Sequence, residues 1–176
     1  MRKRALAVVP AALALLVGLP GTASAAGPVA DIDMGTAQIL GITPVASASG
    51  DTAVLHFRYR CSGAPSAAVW ASVKQLDDPT ATADWDFDSH GTSGQSAAWY
   101  DSHVEVPCDT AAATPRTRTA KVTVRRADYS EYGGPAWDRL VRGTGYVQLC
   151  VTVGGPEDAE PVGFAAHYEW VPVTAR

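Results

Sequence analysis

Three features of the sequence converge on an all-β antiparallel sandwich of seven or eight strands. Apolar residues alternate with polar ones at a period of two, turn-forming clusters return roughly every eight to fifteen positions, and little of the chain carries a helical period. The chain has 176 residues, 47% hydrophobic and 18% charged. That composition excludes a disordered tail, a collagen-like chain and a polytopic membrane protein.

The elements follow in chain order. Arg2, Lys3 and Arg4 precede the apolar run Ala5 to Leu19, and Ala23-Ser24-Ala25 supplies the small residues of a cleavage site. Residues 1 to 25 therefore read as a signal peptide, and residues 26 to 176 as a single exported domain. The apolar run is interrupted by Pro10 and closed by Pro20, whereas a spanning helix needs ~20 apolar residues, so no membrane insertion of the mature chain is expected.

Strands are expected over Gln38 to Val45, Leu55 to Cys61, Ala67 to Gln75, Ala97 to Val106, Thr119 to Arg125, Gly145 to Val153 and Val162 to Val173. The clearest is Leu55-His56-Phe57-Arg58-Tyr59-Arg60-Cys61, which puts Leu, Phe, Tyr and Cys on one face and His, Arg and Arg on the other. Turn clusters such as Ser49-Gly50-Asp51 and Tyr132-Gly133-Gly134-Pro135 separate the strands. One short helical possibility, Ala136 to Arg142, reads better as a turn or 3₁₀ segment. Two connections, Leu76 to Gly94 and Ala127 to Gly143, exceed the ~12–15 residues usual for loops in compact domains, which marks them as functional or mobile.

The three cysteines cannot all pair within one chain, and export makes a disulfide the default for two of them. Cys61 shares the core face of Leu55, Phe57 and Tyr59, and Cys108 follows Val104 and Val106 in phase. Cys150 falls on the face opposite Val147, Leu149, Val151 and Val153. Alternation thus assigns Cys61 to Cys108 and leaves Cys150 a free thiol covered by a loop. The rival, Cys61 to Cys150, follows the order Cys61, Trp70, Cys150 of an immunoglobulin domain's B-strand Cys, C-strand Trp and F-strand Cys. The tyrosine-corner position two before the second Cys is Gln148, which counts against it. An immunoglobulin-like sandwich remains the expected architecture.

The runs His56-Phe57-Arg58-Tyr59-Arg60-Cys61, Trp70-Ala71-Ser72-Val73-Lys74-Gln75 and Val106-Pro107-Cys108-Asp109 resemble a group of small secreted actinobacterial β-domains of unknown function. The likeness spans about 55 residues of the sequence. It implies export and the Cys61 to Cys108 bond, and it implies no activity. A GC-rich source also fits the 31 Ala, the 11 Arg against 3 Lys and the absence of Asn, which removes any N-glycosylation acceptor.

Formal net charge is −4, and losing Arg2, Lys3 and Arg4 makes the mature chain more acidic still. Such a balance points away from nucleic acid, whose binding needs a surplus of Lys and Arg. Asp84-Trp85-Asp86-Phe87-Asp88 spaces three carboxylates as calcium ligands are spaced. Yet the sixth position of such a loop, normally Gly, is Ser89, and the twelfth, normally Glu, is Gln95. Asp84, Asp86 and Asp88 therefore read as a solvated edge, and no metal or cofactor is expected.

Asp101, His103 and Glu105 share one strand face, spaced as acid-base groups or metal ligands are, and read as its wet side. There is no Gly-x-Ser-x-Gly, His-Glu-x-x-His or Gly-rich phosphate loop. A basic stretch, Arg116 to Arg126, balances an acidic one, Asp77 to Asp88, and both read as solvated faces. Rigid aromatics on the two long connections, Trp85, Tyr129, Tyr132 and Trp137, are the candidate ligand-binding residues. The functional expectation is a secreted, non-enzymatic binding or accessory module for an unknown protein or polysaccharide. The alternatives are a carbohydrate or cell-wall binder, a proteinaceous inhibitor presenting residues 77 to 94, and a small hydrolase.

Overall fold

The computed structural model describes residues 31–83, 96–110, 114–128, 137–154 and 162–175. They are all-β: β1 (Asp31–Gly35), β2 (Ala37–Ile42), β3 (Val45–Ser49), β4 (Thr52–Cys61), β5 (Ser66–Gln75), β6 (Ala98–Pro107), β7 (Arg118–Arg126), β8 (Gly143–Val153) and β9 (Gly163–Ala175). The expected strands are present with ends within three residues of those expected, and two differences bring the described strands to nine. The stretch Gln38 to Val45 is two strands, because Pro44 has no N–H to give a ladder and Thr43 turns both its N–H (2.9 Å) and its hydroxyl (3.1 Å) onto the His56 carbonyl. Asp31–Gly35, where no strand is expected, pairs with β9 from Asp31↔His167 to Gly35↔Gly163. Residues 137–141 take no helical form, since their amides bond outward: Asp138 N–H to the Ala97 carbonyl and Val141 N–H to the Gln75 side chain.

Seven strands follow one another around a nearly closed ladder, β9-β3-β4-β7-β6-β5-β8, which returns to β9 through the β8–β9 pairing. Neighbours are antiparallel except β3 and β9, which run parallel. β2 extends the ladder from β4, and β1 from β9. The long pairings are β5 with β6 and β8, β4 with β7, and β8 with β9. The seams are thin: β6 meets β7 only at Tyr100↔Arg126 and Asp101↔Arg125.

The core lies inside this ring and is built from one phase of each strand. Ala53, Leu55, Phe57, Tyr59 and Cys61 of β4 meet Ala120, Val122 and Val124 of β7, then Val69, Ala71 and Val73 of β5 and Val147, Leu149, Val151 and Val153 of β8. Apolar burial on this scale, at ~25 cal/mol per Å², is the main force holding the ring shut. Cys61 and Cys108 are disulfide-bonded, with Cα atoms 5.0 Å apart, tying the end of β4 to the exit of β6. Cys150 is free and half-buried. Both outcomes agree with strand alternation.

A second apolar cluster lies on the outer face of the same strands. Tyr146, Ala166 and Tyr168 are buried there, with Cys150, Phe164, Trp170, Leu76 and Ala83 packed on them. Leu76 and Ala83 belong to the β5–β6 connection, so that long connection is part of the cover. It is pinned by the Trp170 indole N–H on the Ala83 carbonyl (3.1 Å) and by Thr144 N–H on the Pro79 carbonyl (2.7 Å). The same approach explains Gly143, where a Cβ would overlap the Pro79 carbonyl oxygen. Among the described residues no helix is long and apolar enough to cross a membrane.

Candidate functional site

One end of the ring carries a cleft of mixed polar and apolar lining, assembled where β5 ends, β6 begins, β7 ends and the chain approaches β8. A depression of about 580 Å³ is lined by residues including Gln75, Asp77, Arg126, Asp138 and Arg139. A smaller one, about 350 Å³, is lined by Asp51, Arg126, Ala127, Asp128 and Trp137. Both are lined by Arg126, so they meet there.

The rim is held by side chains acting on backbone. Gln75 sits in the core phase of β5 and is 2% exposed. Its amide N–H group donates to the Val141 (3.1 Å) and Thr144 (3.3 Å) carbonyls, while its oxygen accepts from Val141 N–H (2.9 Å). A buried primary amide satisfied this way holds the chain that leads into β8. Tyr100, fully buried, donates its hydroxyl to the Gly50 carbonyl (2.6 Å) and accepts from Leu140 N–H (3.4 Å). Burial raises its pKa above the ordinary tyrosine value, so the hydroxyl stays a donor across the physiological range. Together the two residues fix segment 138–141 and the Gly50-Asp51 turn to the ring.

Charges then converge on Asp51. Its carboxylate lies 3.1 Å from Arg126 and 3.5 Å from Arg139, and Arg126 also reaches the Trp137 carbonyl at 3.4 Å. With half or more of the Asp51 and Arg139 side chains exposed, these pairs add little stability. What they do is hold planar, multidentate hydrogen-bonding groups at the mouth of a preformed depression.

The sequence candidates fall out unevenly. Trp137 lines the smaller depression but is 7% exposed, stacked edge-on against Trp99 at 5.4 Å, with its indole N–H buried and without an acceptor. Trp85, Tyr129 and Tyr132 lie outside the described residues, as do Asp84, Asp86 and Asp88. Asp101, His103 and Glu105 share the outer phase of β6, with His103 and Glu105 exposed, and among the described residues no group of three His, Cys, Asp or Glu is set to hold a metal.

Ser72 and Lys74 of β5 and Gln148 of β8 are polar side chains in the outer phase of their strands, yet they are buried. Ser72 and Gln148 hydrogen-bond at 3.2 Å, and the Lys74 ammonium sits 4.3 Å over the Trp99 ring. That face carries the covered second cluster rather than open solvent. Beside it the Cys150 sulfur lies 4.0 Å from the Tyr168 hydroxyl, and burial pushes the thiol's pKa up, which makes it a poor nucleophile.

Of the cleft residues missed from sequence, Gln75 had a readable signal, a polar residue in the apolar phase Val69, Ala71, Val73. Asp51, Tyr100 and Arg139 had none, since only pairing brings their strands and turns to one end. No family model matches the chain, and no curated protein matches it either.

Proposed function

We propose that the protein is an exported, non-enzymatic binding module, an immunoglobulin-like sandwich that takes a carbohydrate into the cleft at the Asp51–Arg126 end. The observation that carries this reading is the pre-set rim. Gln75 and Tyr100 lock the backbone on both sides of the cleft, so ligand binding orders little chain and loses little entropy. Asp51, Asp138, Arg126 and Arg139 offer acceptors and forked donors of the kind that grip vicinal hydroxyls. No nucleophile motif accompanies them in the sequence, which favours binding over turnover.

The two-sheet architecture is supported by the thin seams. At β6–β7, and where β3 meets β4 and β9, only two residue pairs join the strands, dividing the ladder into a β2-β4-β7 side and a β6-β5-β8-β9-β1 side. It departs from antibody domains in its cystine and in Trp70, which lies in the outer phase of β5.

The test is co-sedimentation of the mature chain with insoluble peptidoglycan, chitin and cellulose, with release of soluble sugar monitored. Saturable binding to one of them without sugar release, weakened at least tenfold by Arg139→Ala with the melting temperature unchanged, is the expected result. Sugar release, or no binding by folded protein to any of the three, refutes the proposal.

A further inference from the structure

β2, β4 and β7 hold six Lys or Arg residues and not one Asp or Glu, in a chain whose formal net charge is −4. The register decides where these cations point. β4 pairs with β7 as Thr52↔Arg125, Val54↔Thr123, His56↔Lys121 and Arg58↔Thr119, and β2 adds Gln38↔Arg60. All of these are in the outer phase, opposite the buried Leu55, Phe57, Val122 and Val124. Arg58, Lys121 and Arg125 are exposed, as are Thr119 and Thr123 between them. Arg58 and Arg60 each place one donor on the protein, on the Leu40 carbonyl (3.5 Å) and the Thr117 hydroxyl (2.9 Å), which leaves most of each guanidinium fork to solvent. None of Arg58, Arg60, Lys121 and Arg125 forms an ion pair with a described carboxylate. The nearest acid in register is Asp101, opposite Arg125 across the β6–β7 seam.

Like charge is gathered on this face: Arg58 and Arg60 stand two apart on β4, ~6.6–6.8 Å at the usual rise, and Lys121 lies diagonally across from Arg58 on β7. The opposite sheet side is built differently, β5, β6, β8 and β9 carrying Lys74 against Asp101, Glu105 and Glu169. Four cations, Arg58, Arg60, Lys121 and Arg125, thus share one sheet face, while Arg118 and Arg126 lie in the other phase of β7 and pair with Asp109 and Asp51.

We infer that the outer face of β2, β4 and β7 is a docking surface for a linear polyol-phosphate polymer, held by Arg58, Arg60, Lys121 and Arg125. A small anion reaches one or two of these cations. An extended chain with a charge on each repeat meets successive cations along β4 and across to β7, and relieves their mutual repulsion. Guanidinium forks, an ammonium and threonine hydroxyls are the donor types that grip phosphate oxygens. The face shares no residue with the cleft, so the two surfaces stand or fall separately.

The experiment is titration of the mature chain with fluorescent poly(glycerol phosphate), from 20 mM to 200 mM salt. Alginate and oligothymidylate of matched charge serve as competitors. Three to four contacts predict a slope of log K against log salt of about −2 to −3, and each of Arg58→Gln, Arg60→Gln and Lys121→Gln flattens it by about one. Arg142→Gln, an exposed change away from the face, leaves it unaltered. Because the substituted side chains point outward, unchanged melting temperatures separate lost binding from lost folding. Absence of salt-sensitive binding, binding indifferent to the three face variants, or tighter competition by alginate or oligothymidylate overturns the inference.

Discussion

Lys74 is the residue whose environment departs furthest from its surroundings in sequence. It is 4% exposed beneath the second cluster, with Trp99 under its ammonium. Burial pushes its pKa down from 10.5 to about 8, against the opposing pull of Asp101. The folded chain thus releases this proton near pH 8 while the unfolded chain holds it to about 10.5. Between those values the unfolded state binds more protons, so the Lys74 contribution to stability rises with pH. Lys74→Met is expected to be more stable than the parent at pH 7, with the difference closing by pH 10 in urea melts. A difference that stays constant across that range would show that burial does not perturb the amine. Gln75, one residue on, was legible as a polar side chain in an apolar phase; Lys74 was not, because alternation reports a face and not what covers it.

At the scale of the elements, the cystine joins β4 to the exit of β6 across 47 positions. It was readable because both cysteines keep core phase with their strands, a local property. Closing so long a loop restrains the unfolded chain, and replacing both cysteines by alanine should lower stability by about 2–4 kcal/mol in denaturant titrations. Cys150 should alkylate only after unfolding, and a Cys150-containing disulfide in the peptide map would contradict the pairing. The split of Gln38 to Val45 at Pro44 was written in the sequence as well, as a proline inside a strand pattern. Asp31–Gly35 also alternates, as Asp31, Ile32, Asp33 and Met34, but its five residues are too short a run to mark a strand apart from the β9 edge they join.

The whole molecule depends on β9. It pairs with β8 through eleven registered positions from Val153↔Gly163 to Gly143↔Val173, and its other edge receives β1 and β3. Deleting residues 163–176 opens the ring and exposes the inner face of β8, so no cooperative thermal transition is expected. Deleting residues 31–35 removes only an appended strand and should leave a cooperative melt. Circular dichroism of the two truncations decides the matter, and a cooperative melt without β9 would mean the ring is not the folding unit. The sequence by itself determined the all-β class, the phase of the strands that carry the cysteines, the Cys61–Cys108 pairing and the spare Cys150. All of these follow from the two-residue period of a strand, which is a property of neighbouring residues. Only the tertiary structure decided that the ladder nearly closes and that the outer face of β5, β8 and β9 is covered. It alone brought Asp51, Gln75, Tyr100 and Arg139 to one end, and gathered Arg58 and Arg60 with Lys121 and Arg125. These depend on which strands meet and in what register, a choice made by burial of the whole core between segments far apart in the chain.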